Sequence, residues 1–286
     1  MNFDYSDKKQ FLEKIRAAAR KNEVSPQIML QEVMLDELLE RISKSNYRDN
    51  LVLKGGFLIA SLLGVNTRST RDIDTSVVGM PVTEQQILEV FKNICTVKLP
   101  DDIVELKVNS VKEIREDAEY SGFRMHIIAQ IFSTIVNLKV DISTGDVITE
   151  HAIEYKHKLL LEDRSITIKS YNLETIIAEK LQTAVNRSEL NTRLKDYYDL
   201  YLFQQKKENQ IDFKLLKKAL LATIKNRKDN DSINDYVSHI NELIKSDIMI
   251  ERWKQYQTKN LYADGILFKD TCSSAIILVK KCILAN

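Results

Sequence analysis

Glycine, proline and cysteine are all scarce in this chain: 286 residues hold seven Gly, three Pro and three Cys. So few backbone-shaping residues exclude a collagen-like or low-complexity chain and a sandwich of many short strands joined by tight turns. Cys95, Cys272 and Cys282 form no C-x-x-C pair and are odd in number. That argues against a disulfide framework or a zinc site and suits a reducing cytoplasm. Long apolar runs are missing, so no membrane span is expected. The opening stretch, MNFDYSDKKQFLEKIR, is charged and carries no apolar signal region. An excess of either charge is also lacking: 42 Lys and Arg stand against 41 Asp and Glu, a net of +1. The balance is uneven along the chain. Residues 1–165 hold 22 basic and 26 acidic residues, and residues 166–286 hold 20 and 15. A mildly basic second half is compatible with a polyanionic partner and equally with an ordinary solvated surface. The 44% of apolar residues is enough for one large domain or two modest ones with a buried core.

The period of the apolar residues gives the organisation. Residues 7–22 and 26–44 read as helices, the second entered at Ser25-Pro26. A short apolar run, Leu51 to Leu53, precedes Lys54-Gly55-Gly56, and residues 57–63 read as a short helix ending at Gly64. The polar loop NTRSTR leads to a strand beginning at Asp72, and residues 83–95 look helical. Residues 103–114, 120–132 and 134–142 are rich in β-branched and alternating residues, the last two forming a hairpin around Ser133. Ser143 to Asp146 reads as turn chemistry, and a shorter strand pair is expected near 157–169. From Asn172 the period turns helical and stays so. The change of period sets a boundary between residues 1–168 and 169–286.

Two constellations could carry chemistry. Asp72 and Asp74 are two apart in a strand and so share a face. Side-by-side carboxylates repel unless a cation lies between them, and hard oxygen donors suit Mg²⁺. Asp141, in VNLKVDI, faces away from Val136, Leu138, Val140 and Ile142, and would complete a three-carboxylate cluster if its strand lay beside the first. Gly55-Gly56, between a strand and a helix, would let backbone N–H groups approach phosphates closely. The second constellation lies in NLETIIAEKLQTAVNR, where Lys180 falls inside the apolar stripe. It is either snorkelling to water or aimed into a cleft at phosphate or base. Asp196 and Asp199, three apart on the next helix, are either structural partners of Arg187 or Arg193 or part of a site. The histidines 126, 151, 157 and 239 show no ligand spacing and look incidental. The lysines of 206–218 and 225–228 are solvated helix faces or guides for an RNA backbone.

The segments LVLKGGFLIASLLGVNTRSTRDIDTSV, NLKVDIST and LETIIAEKLQTAVNRSELNTRLKDYYDLY together resemble the AbiEii/AbiGii family of nucleotidyltransferase-like toxins, over roughly residues 50–203. The resemblance implies an α+β fold: a polymerase-β-like nucleotidyltransferase core, a mixed sheet flanked by helices, followed by a helical C-terminal domain. It implies a triphosphate loop at Gly55 and Gly56, with Thr70 and Arg71 as neighbouring nucleotide contacts. It points to Asp72 and Asp74 as catalytic metal ligands, with Asp141 matching the third carboxylate less securely. It puts Lys180 on phosphate, and Asp196, with Asp199 close by, as a base or second carboxylate. The implied cofactor is Mg²⁺ or Mn²⁺ and the substrate an NTP, GTP or CTP. The implied acceptor is tRNA or another RNA, and the biological setting a type IV toxin–antitoxin and abortive-infection system of phage defence. The cognate antitoxin of such a system need not touch the toxin, and a cytoplasmic protein without membrane contact is expected. Transfer to a protein or small molecule, or a GTP-binding regulatory module without turnover, are the rival readings.

Overall fold

The computed structural model describes residues 7–68, 70–100, 103–114 and 122–285. Ser69 of the polar loop and residues 120 and 121 of the expected strand lie outside them. The chain forms two compact units, one of residues 1–146 and 152–170, the other of 147–151 and 171–286.

The first unit holds helices α1 (Lys8–Lys21), α2 (Pro26–Lys44), α3 (Gly55–Leu63) and α4 (Glu84–Cys95). Its strands are β1 (Leu51–Lys54), β2 (Asp72–Val77), β3 (Val104–Ile114), β4 (Gly122–Ile131), β5 (Thr134–Ser143), β6 (Ile153–Lys158) and β7 (Ser165–Ser170). They make one mixed sheet in the order β3-β4-β5-β2-β1-β7-β6. β2 runs parallel to β5, and β1 parallel to β7, while the other neighbours are antiparallel. The β4–β5 hairpin turns at Phe132-Ser133, with Phe132 at φ +53°. Strand alternation sets the sheet's two faces. Met125, Ile127, Leu138, Val140 and Ile73 are buried on one, while Asn137 and Lys139 are exposed on the other. α2 and α4 lie against the sheet.

α2 starts where Ser25 accepts the Ile28 N–H and Pro26 occupies the first turn. Besides its apolar stripe it carries buried carboxylates four residues apart, Glu32, Asp36 and Glu40, a spacing that puts them on one face. Each has a partner, as buried charge requires. Glu32 accepts the Thr70 N–H, Glu40 forms a bidentate pair with Arg164, and Asp36 accepts the Leu160 N–H. Asp36 is also 2.7 Å from His157 Nε2, and His157 Nδ1 is 2.7 Å from Ser61 Oγ. His157 is therefore not incidental: its ring ties α2 to α3 and β6 inside the core. Replacing the imidazole with an apolar ring leaves Asp36 buried without its contact to Nε2. His157→Phe is expected to destabilise the unit by about 2–4 kcal/mol, read by urea unfolding, with Asp36→Asn in the same chain restoring part of the loss. No restoration would mean that packing, not the polar contact with Asp36, is what the ring supplies.

The second unit is helical among its described residues. It contains α5 (Leu173–Asn186), α6 (Lys195–Lys207), α7 (Phe213–Asn226), α8 (Tyr236–Leu243), α9 (Asp247–Lys259) and α10 (Phe268–Leu284). Asn172 caps α5 by accepting the Thr175 N–H, as its side chain predicts. The core is aromatic. Tyr197 meets Phe268 edge-on at 5.2 Å between centroids, Trp253 stacks on Tyr256, and the Trp253 indole donates to the Ile266 carbonyl. The three cysteines are buried and free. No helix among the described residues is long and apolar enough to cross a membrane.

Candidate active site

In the first unit the structure joins the glycine pair to the aspartates. β1 pairs antiparallel with β2, so Lys54, at the end of β1, lies opposite Asp74. The chain then turns at once into α3. The helix begins at Gly55, two residues earlier than the apolar pattern indicates, so the glycines are its first turn rather than a loop before it. That is an N-terminus with free amides, and Asp74 Oδ2 accepts the Gly56 N–H at 3.1 Å. Gly55 has φ +65°, and a Cβ there would stand 2.0 Å from Asp74 Oδ2. A Cβ on Gly56 would stand 2.8 Å from Thr70 Oγ1. The pair is Gly-Gly because a side chain at either position would displace a site residue. Gly55→Ala takes on a left-handed backbone penalty of about 1–2 kcal/mol and must move Asp74. The variant is expected to lose stability by at least that amount, read by urea unfolding; an unchanged midpoint would show that Asp74 yields to the added methyl without cost.

Asp72 and Asp74 share the half-buried face of β2, while Ile73 and Thr75 are buried on the other. Thr70 is buried and donates its hydroxyl to Asp72 Oδ1 at 2.8 Å. Its own N–H goes to Glu32, whose carboxyl burial pushes up to about 7. Arg71 is exposed, and its carbonyl accepts from Gln31. β5 does lie beside β2, with Asp141 in register with Asp74. Asp141 is, however, held by Arg124 of β4, whose Nε and Nη2 each donate to one carboxylate oxygen at 2.7 Å. That hydrogen bonding, against a smaller opposing effect of burial, raises the Arg124 pKa, and the charges of Asp141, Asp72 and Asp74 add to it. Among the described residues, no group of three or more His, Cys, Asp or Glu side chains is arranged to hold a metal ion.

Asp146 is more than a turn residue. It is a half-buried carboxylate that accepts from Lys54 Nζ at 2.7 Å, from Ser76 Oγ at 3.0 Å and from Ser143 Oγ. Burial opposes its charge, but Lys54 and the hydroxyls prevail and hold its pKa below the usual carboxylate value. It thereby fastens the ends of β1, β2 and β5 next to the glycine turn. Neither this role nor that of Arg124 is signalled by spacing, because their partners lie 92 and 17 residues away.

In the second unit Lys180 turns its head onto two carboxylates rather than out to water. Nζ lies 2.8 Å from Asp196 Oδ1 and 2.6 Å from Asp199 Oδ2, and all three residues are buried. Arg193 Nε adds a contact to Asp196 Oδ2 at 3.3 Å. Burial alone would depress the Lys180 pKa, but Asp196 and Asp199 outweigh it and raise it. Burial alone would raise the Asp196 pKa, but Lys180 and then Arg193 outweigh it and lower it. Lys180 and Asp196 are therefore both charged at neutral pH.

A glycine turn against paired aspartates on a mixed sheet, with a separate Lys–Asp–Asp cluster in a helical unit, is the context for comparison with known proteins. No curated protein matches the chain. Among solved structures, a candidate nucleotidyltransferase from H. pylori is 16% identical over 91% of this chain and 96% of its own, with a TM-score of 0.54. The structure of JHP933 from Helicobacter pylori is 17% identical over 88% of this chain and 91% of its own, with a TM-score of 0.52. At that identity the likeness is one of fold. The family model for the nucleotidyl transferase AbiEii toxin of type IV toxin–antitoxin systems matches residues 37–269. This span takes in β1, the glycine turn, all three sheet aspartates and the Lys180 cluster, and the chain belongs to the AbiEii family of nucleotidyltransferase toxins.

Proposed function

We propose that this toxin transfers a nucleoside monophosphate from an NTP, GTP or CTP, to a hydroxyl of RNA, with the 3′ end of tRNA as the favoured acceptor. The new P–O bond forms at the α-phosphorus, pyrophosphate leaves, and the acceptor hydroxyl gives up its proton. A tRNA so capped cannot be charged, and translation and growth stop. The reaction takes place in the cytoplasm. The observation that supports this most is the contact of Asp74 with the Gly56 N–H, which puts a carboxylate and a helix N-terminus side by side.

Asp72 and Asp74 present hard oxygen donors on one half-exposed face, the donor chemistry that Mg²⁺ or Mn²⁺ takes. Asp141 would join them once free of Arg124. A divalent ion held there would supply Lewis-acid stabilisation of phosphoryl charge. The chain's own residues do the rest. The Gly55-Gly56 turn offers amides to the triphosphate, and Thr70 holds Asp72 in orientation. Arg71, exposed beside Asp72, is free to reach a phosphate. For the second unit we assign Lys180 the phosphate contact. Asp196 and Asp199 keep Lys180 charged by outweighing its burial, and Asp196, its own pKa lowered, makes a poor base.

The test is incubation with each labelled NTP, a divalent ion and total tRNA. Label in tRNA from one NTP is the expected result. Label in protein or in a small molecule would replace the acceptor. No transfer from any NTP would overturn the reading.

A further inference from the structure

The register of the sheet extends the site sideways. Asp72 lies opposite Lys139 of β5, which lies opposite His126 of β4, which lies opposite Ser110 of β3. One row over, Asp74 lies opposite Asp141, Asp141 opposite Arg124, and Arg124 opposite Lys112. Residues opposite one another in a ladder share a face. The face that carries both aspartates therefore continues outward as Lys139, His126, Arg124 and Lys112. Lys107, opposite Ile128, lies on it too.

Lys107 and Lys112 are five apart, an odd spacing that would put them on opposite faces of a regular strand. The register of β3 shifts between Val108 and Ser110, and this bulge brings Lys112 back in phase with Lys107. Lys107, Lys112 and Lys139 are exposed, whereas Leu106, Met125, Ile127 and Leu138 on the other face are buried. The cations are close enough to press on one another. The His126 pKa is lowered, by burial and then by Lys139, Lys112 and Arg124 in turn.

A row of exposed cations in the acidic half of the chain, on the face of the two aspartates and ending beside them, is complementary to a polyanion delivered to that point. From Asp74 to Lys112 the row crosses three strand spacings, about 14 Å, room for a few nucleotides. We propose that the open face of β3, β4 and β5 carries the backbone of the RNA acceptor to Asp72 and Asp74, with Lys107, Lys112 and Lys139 on its phosphates. The proposal rests on the reading that the acceptor is RNA. It places the RNA on the first unit rather than on the lysine-rich helices of the second.

The test measures equilibrium binding of bulk tRNA without NTP or divalent ion, over a series of KCl concentrations. The variant is Lys107→Glu/Lys112→Glu/Lys139→Glu. Its three sites are exposed, so its melting temperature should match the parent's. Binding is expected to weaken at least about tenfold, and the slope of log K against log[salt] to become shallower by about 2, as three lost single-strand phosphate contacts require. The matching variant on the helices, Lys206→Glu/Lys214→Glu/Lys225→Glu, is expected to keep most of the binding. Loss in the helical variant with none in the sheet variant overturns the proposal, and so does a parent that does not bind tRNA. Label transfer to tRNA by the parent, with unweakened binding by the sheet variant, sinks this proposal and leaves the reaction standing. Binding that behaves as expected, with no transfer from any NTP, does the reverse.

Discussion

Replacing Asp74 with Asn is expected to lower nucleotidyl transfer by at least about 10³-fold, on the order of 4 kcal/mol, and to leave the fold intact. The substitution is chosen because it separates charge from structure. Asp74 does two things: it accepts the Gly56 N–H through Oδ2, and it stands in register with Asp141 on the exposed face. An Asn side chain of the same size still offers a carbonyl oxygen to Gly56 and still fits beside Gly55, where no Cβ intrudes. What it lacks is the negative charge with which Asp74 would hold a divalent ion. The melting temperature should therefore stay within a few degrees of the parent's while turnover collapses. Asp72→Asn is expected to behave alike, since Thr70 can donate to the amide oxygen. Thr70→Val, which only frees Asp72 to rotate, should act mainly on orientation and give a smaller loss. If Asp74→Asn retains activity within tenfold of the parent, neither the carboxylate pair nor the reaction assigned to it can stand. Growth arrest that persists without transfer would favour the nucleotide-binding module over the enzyme.

The elements of this fold with a strong period are the ones legible in the sequence. α1, α2, α4 and the β4–β5 hairpin show in alternation and capping, because a residue's face depends only on its neighbours along the chain. The same alternation puts Asp72 with Asp74, and Asp141 opposite the apolar residues of β5. Placing β5 beside β2 takes the sheet itself, because strand order depends on pairings between distant segments. Three features escaped for that reason. His157 shows no local signal, since its partner Asp36 is 121 residues earlier. Asp146 sits in a turn-like run, but its role is decided by Lys54 and Ser76. Arg124 looks like any half-exposed strand residue until β5 brings Asp141 against it. One signal is legible along the chain: the Glu32, Asp36, Glu40 spacing on one face of α2. Carboxylates at one-turn intervals on a buried face require partners, and all three have them.

Lys180→Met tests the second unit, and its effect is expected on stability as well as on turnover. Methionine fills the volume of the lysine stem but offers no charge, so Asp196 and Asp199 remain buried without the ammonium, Asp196 still in contact with Arg193. Breaking a buried ion pair from one side costs about 3–5 kcal/mol. That lowers the melting temperature of this unit on the order of 10 °C. The pH dependence identifies the cause. The Asp196 pKa is lower folded than unfolded, so the stability it contributes is present above the ordinary value of 3.8 and is lost as pH falls through the folded value below it. The Lys180 pKa is higher folded than unfolded, so its contribution is present below 10.5 and is lost only as pH rises through the folded value above it. The parent's advantage over Lys180→Met should thus shrink as pH falls, first above 3.8, where Asp196 of the variant, buried without its lysine, takes up a proton, and then below 3.8, as the parent's own Asp196 does so and the missing ammonium no longer matters. Adding Asp199→Asn to Lys180→Met should recover part of the stability at pH 7 without recovering transfer. Lys180→Arg keeps the charge but spreads it over a larger planar group in a buried space, and should fall between the two. An advantage that stayed the same from pH 7 down through pH 3 would show that the loss in Lys180→Met does not come from the ion-pair cluster.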